Sequence, residues 1–232
     1  MLPPQRPPLL HGQDHKAVIE FLVSRGLDRK QVIDGSIPLA PLEYIRRKTI
    51  SRPRDGLSIL HIGNFVGVSL AFITAAAVDA CPDAVVVSID PNLPHRGIVN
   101  PQAHVLEVLS MCGLLSHSLI ITGYSDGKTP SNDLAIVGGY DPLEMFNREC
   151  ACERVLHNLA ALSIRTFDVI IIDGNHEAEH LKREIYACKT VLKPGGYLVL
   201  DDVNWEGIGN ILKTFAKQNI ETDGRVGVMK VD

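Results

Sequence analysis

Five short apolar runs constrain this chain more than any other feature. They are Ser58-Ile59-Leu60-His61-Ile62, Ala84-Val85-Val86-Val87-Ser88-Ile89, Leu119-Ile120-Ile121-Thr122, Phe167-Asp168-Val169-Ile170-Ile171-Ile172 and Tyr197-Leu198-Val199-Leu200. Runs this short, rich in β-branched residues and nearly unbroken in apolar character, are what parallel strands covered on both faces require. Between them lie stretches of helical character, at about Ser69–Ala80, Pro101–Leu114 and Glu177–Leu192. Strand and helix in alternation predict a doubly wound α/β architecture with a mostly parallel sheet. Pro194-Gly195-Gly196 is expected to turn the chain into the fifth run. The tail offers a helix around Ile208–Lys217, then a last strand over Arg225–Val231, expected to be antiparallel.

Residues 1–56 read as an arm and a helical cap, and residues 57–232 as the main domain, together one structural unit. The first ten residues contain four prolines and no long apolar run, which suits an extended arm rather than a signal peptide or a membrane span. Asp14 is placed to cap a helix through Ala17, Val18, Ile19, Phe21 and Leu22, ended by Gly26. A second short helix is expected after Asp28, and a third from Pro41 through Ile45, closing in Arg46, Arg47 and Lys48. One stretch, Asp126–Ala151, interrupts the alternation and is rich in Gly, Pro, Asn and Asp. Segments of that length in a compact domain are commonly lids or binding loops, and this one leaves the carboxyl edge of the sheet.

The balance of charge narrows the partners. A net charge of −4 gives no general attraction to polyphosphate, so nucleic acid is not expected, and neither is a membrane. Five cysteines without paired CxxC spacing argue for reduced thiols in a cytoplasmic protein. The arm and cap could also serve a contact in a homo-oligomer.

After the first run the chain reads His61-Ile62-Gly63-Asn64-Phe65-Val66-Gly67-Val68-Ser69. Gly63 allows a sharp turn out of the strand, and Gly67 allows the next helix to begin close to a ligand. The second run ends at Asp90, where a carboxylate can accept hydrogen bonds from both hydroxyls of a ribose. The spacing is not that of a dinucleotide fingerprint, because no third glycine follows.

Taken together, Ile62-Gly63-x-x-x-Gly67-x-Ser69, Ser88-Ile89-Asp90, Gly123-Tyr124-Ser125, Ile172-Asp173-Gly174-Asn175-His176 and Leu192-Lys193-Pro194-Gly195-Gly196 leading to Asp201-Asp202 resemble the class I S-adenosylmethionine-dependent methyltransferases. The branch most similar in these motifs is that of the metal-dependent small-molecule O-methyltransferases of macrolide-sugar and cephalosporin biosynthesis. The resemblance implies that Gly63 and Gly67, with Asn64 and Ser69 of the same loop, meet the methionine part of S-adenosylmethionine. It implies further that Asp90 holds the ribose and that Tyr124 and Ser125 flank the adenine. The family carries an acid where this chain has His61. A neutral imidazole there could accept a hydrogen bond from the cofactor's ammonium; alternatively, His61 is a strand histidine without a ligand role.

Asp173 ends the fourth run, and Asp201-Asp202 end the fifth. On adjacent parallel strands these three carboxylates converge, and such a concentration of negative charge calls for a cation. Oxygen ligands suit Mg²⁺, which would lower the pKa of an acceptor hydroxyl, although capping of the following turns is the other reading. His176, three residues after Asp173, is placed to take the hydroxyl proton, the role its counterpart has in the resembled branch. His180, one turn on, reads as solvated, and the loop Pro91–Arg96, which could reach the adenine edge, reads rather as a plain connection. The expected activity is methyl transfer to a hydroxyl of a small-molecule acceptor. Metal-independent N- or O-methylation and a non-catalytic cofactor-binding role are the alternatives.

Overall fold

The computed structural model describes residues 10–51, 55–127, 153–162, 167–215 and 220–231. The five apolar runs form strands β1 (Ser58–Ile62), β2 (Val85–Asp90), β3 (Ser118–Thr122), β4 (Phe167–Ile172) and β5 (Leu192–Leu200). All are parallel, in the order β3-β2-β1-β4-β5. The sheet continues through β7 (Val226–Lys230), antiparallel to β5, to β6 (Ile220–Asp223) at the edge, seven strands in all.

Side chains alternate between two apolar layers, as the pleat requires. Ile59, Val169, Ile171 and Val199 pack on one face with α3 (Leu39–Ile45) and α4 (Val68–Ala80). Leu60, Ile170, Ile172 and Leu198 pack on the other with α6 (Val155–Ala161), α7 (Ala178–Val191) and α8 (Glu206–Thr214). Ile170 and Ile171 are both 0% exposed on opposite faces, each contributing roughly 1.5–3 kcal/mol relative to an exposed side chain. Helix α4 is buried along Val68–Ala77 because the cap covers its outer side. The cap comprises α1 (His15–Ser24), with Asp14 accepting from the Ala17 N–H at 3.0 Å, and α2 (Arg29–Asp34), with Asp28 accepting from the Gln31 N–H at 2.9 Å. Val18 and Leu22 of α1 and Val32 of α2 share a core with Val66, Val68 and Ala71.

Three features differ from expectation. Pro194-Gly195-Gly196 does not precede β5 but lies within it, as an irregularity that shifts the register between Phe167↔Leu192 and Val169↔Tyr197. Helix α3 begins at Leu39 and runs on as a π-helical turn over Arg46–Ile50. Helix α5 (Pro101–Met111) stops short of Leu114, and a 3₁₀ turn, Leu115–His117, leads into β3. Residues 128–151 of the long segment lie outside the described residues, as do the arm up to residue 9 and Cys150 and Cys152. Cys81, Cys112 and Cys188 are free thiols. No described helix is long and apolar enough to cross a membrane.

Candidate active site

The order of strands reverses between β1 and β4, and in sheets of this kind ligands bind outside the carboxyl ends at that point. A cavity of about 360 Å³ opens there, large enough for a small molecule. Gly63 leaves β1 at φ +82°, and a Cβ on it would lie 2.1 Å from the carbonyl oxygen of Asp173. The loops after β1 and β4 can therefore touch only because residue 63 has no side chain. Gly67 caps α4 at φ +93°, where a Cβ would lie 3.0 Å from the Cα of Val105 of α5, and it is not among the residues that line the cavity.

Asp90 lies on the cavity wall. Its carboxylate accepts from the backbone N–H of Asn64 at 2.9 Å and of Asn92 at 2.7 Å. Burial raises its pKa, and the backbone donors, Phe65 among them, oppose that rise. The Asn64 side chain donates to Ser88 Oγ at 3.0 Å, and Ser69 Oγ accepts from the Ile37 N–H at 3.0 Å. That last bond ties the cap to the cavity wall, where Ser69 and Asn64 both appear. Tyr124 and Ser125, just after β3, line the cavity too, and the Ser125 hydroxyl donates to buried Glu184 of α7.

His61 lies elsewhere. It is 0% exposed, on the same face of β1 as Ile59, and does not line the cavity. Neither ring nitrogen has a hydrogen-bond partner. Burial pushes its pKa down to about 4, against a smaller upward pull from the Asp201 charge, so the ring is neutral at pH 7.

Also lining the cavity, Asp173, His176 and Asp202 each offer one donor atom, all within 4.8 Å of one another. The expected third carboxylate, Asp201, neighbours Asp173 but is not one of the three. Consecutive residues at a strand end diverge, and Arg225 takes the Asp201 carboxylate by both oxygens, at 2.6 Å from Nη2 and 2.8 Å from Nε. Arg225 Nε also reaches Asp202 Oδ1 at 3.1 Å. Asp202 sits at φ +54°, a costly conformation that turns its side chain back toward His176, whose Nε2 is 3.2 Å from Oδ2. The Trp205 ring lies against the His176 ring at 4.9 Å between centroids. Burial raises the pKa of Asp173 well above the carboxylate range; the Asp201 charge adds to this, and the Arg225 charge works against it.

Several cavity residues were passed over in the sequence. Arg225 is a lone basic residue before a strand. His180 is 4% exposed rather than solvated, 3.6 Å from Glu184. His180 and Glu184, four residues apart, share one face of α7, a spacing available from the chain itself, and His176 lies just before that helix. His95 and Arg96 line the cavity instead of forming a plain loop.

A sequence profile described as a methyltransferase domain matches residues 60–203, more than half of the chain. The chain belongs to this methyltransferase family. No curated protein matches it. Among solved structures, an O-methyltransferase from Bacillus cereus in complex with S-adenosylhomocysteine (SAH) superposes with a TM-score of 0.59 at 12% identity, over 100% of this chain and 94% of that one. TomG, an O-methyltransferase from Streptomyces achromogenes involved in tomaymycin synthesis, solved with S-adenosylmethionine, gives 0.56 at 12% over 97% and 92%. The SAH-bound Podospora anserina methyltransferase PaMTH1 gives 0.56 at 13% over 94% and 87%. The chain thus has the Rossmann-like methyltransferase fold, in keeping with the family that its profile shows.

Proposed function

We propose that this methyltransferase transfers the methyl group of S-adenosylmethionine to a hydroxyl of a small molecule, with His176 as general base. One observation carries the reading: a single cavity is lined by Asp90, Tyr124 and Ser125 and also by Asp173, His176 and Asp202. S-adenosylmethionine supplies an electrophilic methyl group on a sulfonium. The chain's part is to align the acceptor oxygen with that carbon and to remove its proton. Asp202 and Trp205 fix the imidazole, so the ring meets the hydroxyl in one orientation. The proton passes to His176 as oxygen bonds to the methyl carbon and the carbon–sulfur pair returns to sulfur, leaving SAH.

The two carboxylates fit a divalent cation, because an oxygen of Asp173 and one of Asp202 lie within 4.8 Å of each other and oxygen ligands suit such an ion. Mg²⁺ held by the carboxylates of Asp173 and Asp202 would lower the pKa of the acceptor hydroxyl. His176 would then stay unligated, since a nitrogen bound to metal cannot take a proton. Arg225 favours a second reading, methylation without a metal, because it already offsets the charge of Asp201 and Asp202.

A panel of hydroxyl compounds with S-adenosylmethionine, followed by SAH release, tests both. Turnover that EDTA abolishes and Mg²⁺ restores supports the first reading, and turnover indifferent to EDTA supports the second. Transfer to amines alone would contradict transfer to a hydroxyl and leave the second reading, as N-methylation, standing.

A further inference from the structure

Arg96 is the cavity cation whose charge the structure leaves least compensated. Its guanidinium carries five donors, and its Nε is buried with no hydrogen-bond partner. Among the described residues, the hydrogen bond it makes is to the neutral Gln31 side chain, at 3.5 Å, and the carboxylate it approaches is Asp34, 4.0 Å away and already paired with Lys30. The contrast with Arg225, which holds two carboxylates, is plain.

The backbone around Arg96 is built to present it. His95 and Ile98 exchange both backbone hydrogen bonds, at 3.0 and 2.9 Å, so Arg96-Gly97 is a two-residue turn. Both central residues have positive φ, +50° and +78°. Asn-Gly is the usual occupant of such a turn, whereas a bulky arginine in the left-handed region is held there by its surroundings. Those surroundings come from the cap. Gly35, at the end of α2, lies so close that a Cβ on it would fall 2.5 Å from the Phe65 ring and 3.0 Å from Arg96 Cδ. The turn thus sits between cap and cavity, and His95 and Arg96 line the same cavity as His176 and Arg225.

From this geometry we infer that Arg96 receives an anionic group of the acceptor, a carboxylate or a phosphate, so that the enzyme methylates a hydroxyl on an acidic small molecule. The inference rests on the methyltransferase reading and narrows it. S-adenosylmethionine also carries a carboxylate, and a test must separate the two sources of negative charge.

Calorimetry on the full chain does so, with SAH, 5′-methylthioadenosine (which lacks the amino acid) and inorganic phosphate as probes. Wild type and Arg96→Gln should bind SAH alike. Phosphate should bind the SAH complex of wild type, about tenfold or more weakly to Arg96→Gln, and Arg96→Lys should restore part of the loss. Among acceptors paired as neutral and carboxylated or phosphorylated forms, wild type should prefer the acidic member and Arg96→Gln should lose that preference. If Arg96→Gln weakens SAH but not methylthioadenosine, the corner serves the cofactor and the inference is overturned. Equal phosphate binding by both proteins, or by neither, overturns it as well. Failure of wild type to bind SAH would instead refute the methyltransferase reading itself.

Discussion

Replacing His61 by leucine isolates the energetic consequence of burying an imidazole without a partner. Unfolded, His61 titrates near 6.5; folded, burial holds it at about 4. Between those values the unfolded chain binds a proton that the native protein cannot, so acidification favours unfolding. The contribution of His61 to stability is therefore intact above 6.5 and is lost as pH falls to about 4. A gap of about 2.5 pH units at about 1.4 kcal/mol per unit comes to roughly 3 kcal/mol. Asp90, Asp173 and His95 also titrate differently in the folded state, but they are common to both proteins and cancel in the difference. Urea denaturation of wild type and His61→Leu across this window should therefore give a shallower pH dependence for the variant. At neutral pH His61→Leu should match or exceed wild type, since it replaces two unsatisfied nitrogens by apolar contacts. Its affinity for SAH should be unchanged, because His61 does not line the cavity. Parallel pH profiles, or a loss of SAH binding, would refute the assignment of His61 to the core.

Gly63→Ala should cost about 2–5 kcal/mol in denaturant unfolding, combining a left-handed backbone with a methyl 2.1 Å from the Asp173 carbonyl oxygen. Arg225→Met should cost about 3–5 kcal/mol, because Asp201, with 1% of its side chain exposed, would be left without a cation. Asp201→Asn in the same chain should recover part of that loss, and strict additivity of the two changes would count against the pairing. His176→Gln should lower kcat by about 10²–10⁴ while leaving SAH affinity intact, measured by SAH release and by calorimetry.

The five parallel strands were legible because each must be apolar on both faces, which leaves an unbroken run in the chain. Edge strand β6, Ile-Glu-Thr-Asp, was not, because its three polar residues are exposed and nothing demands an apolar pattern there. Asp90, Asp173 and Asp202 were legible as acids at strand ends. Asp201 was read with them, but its fate depends on Arg225, which is near in space only because β7 turns back beside β5. Arg96 was hidden for a similar reason. Its role depends on the left-handed turn that aims it and on the cap helix that closes over it, neither of which a local pattern of residue types reveals.

The central claim is that the cavity at the β1–β4 switch point holds S-adenosylmethionine by way of Asp90. Calorimetric titration with SAH tests it most directly. The account predicts saturable one-to-one binding by the wild-type chain, weakened about tenfold or more in Asp90→Asn. Absence of binding, or equal affinity in the two proteins, would contradict it.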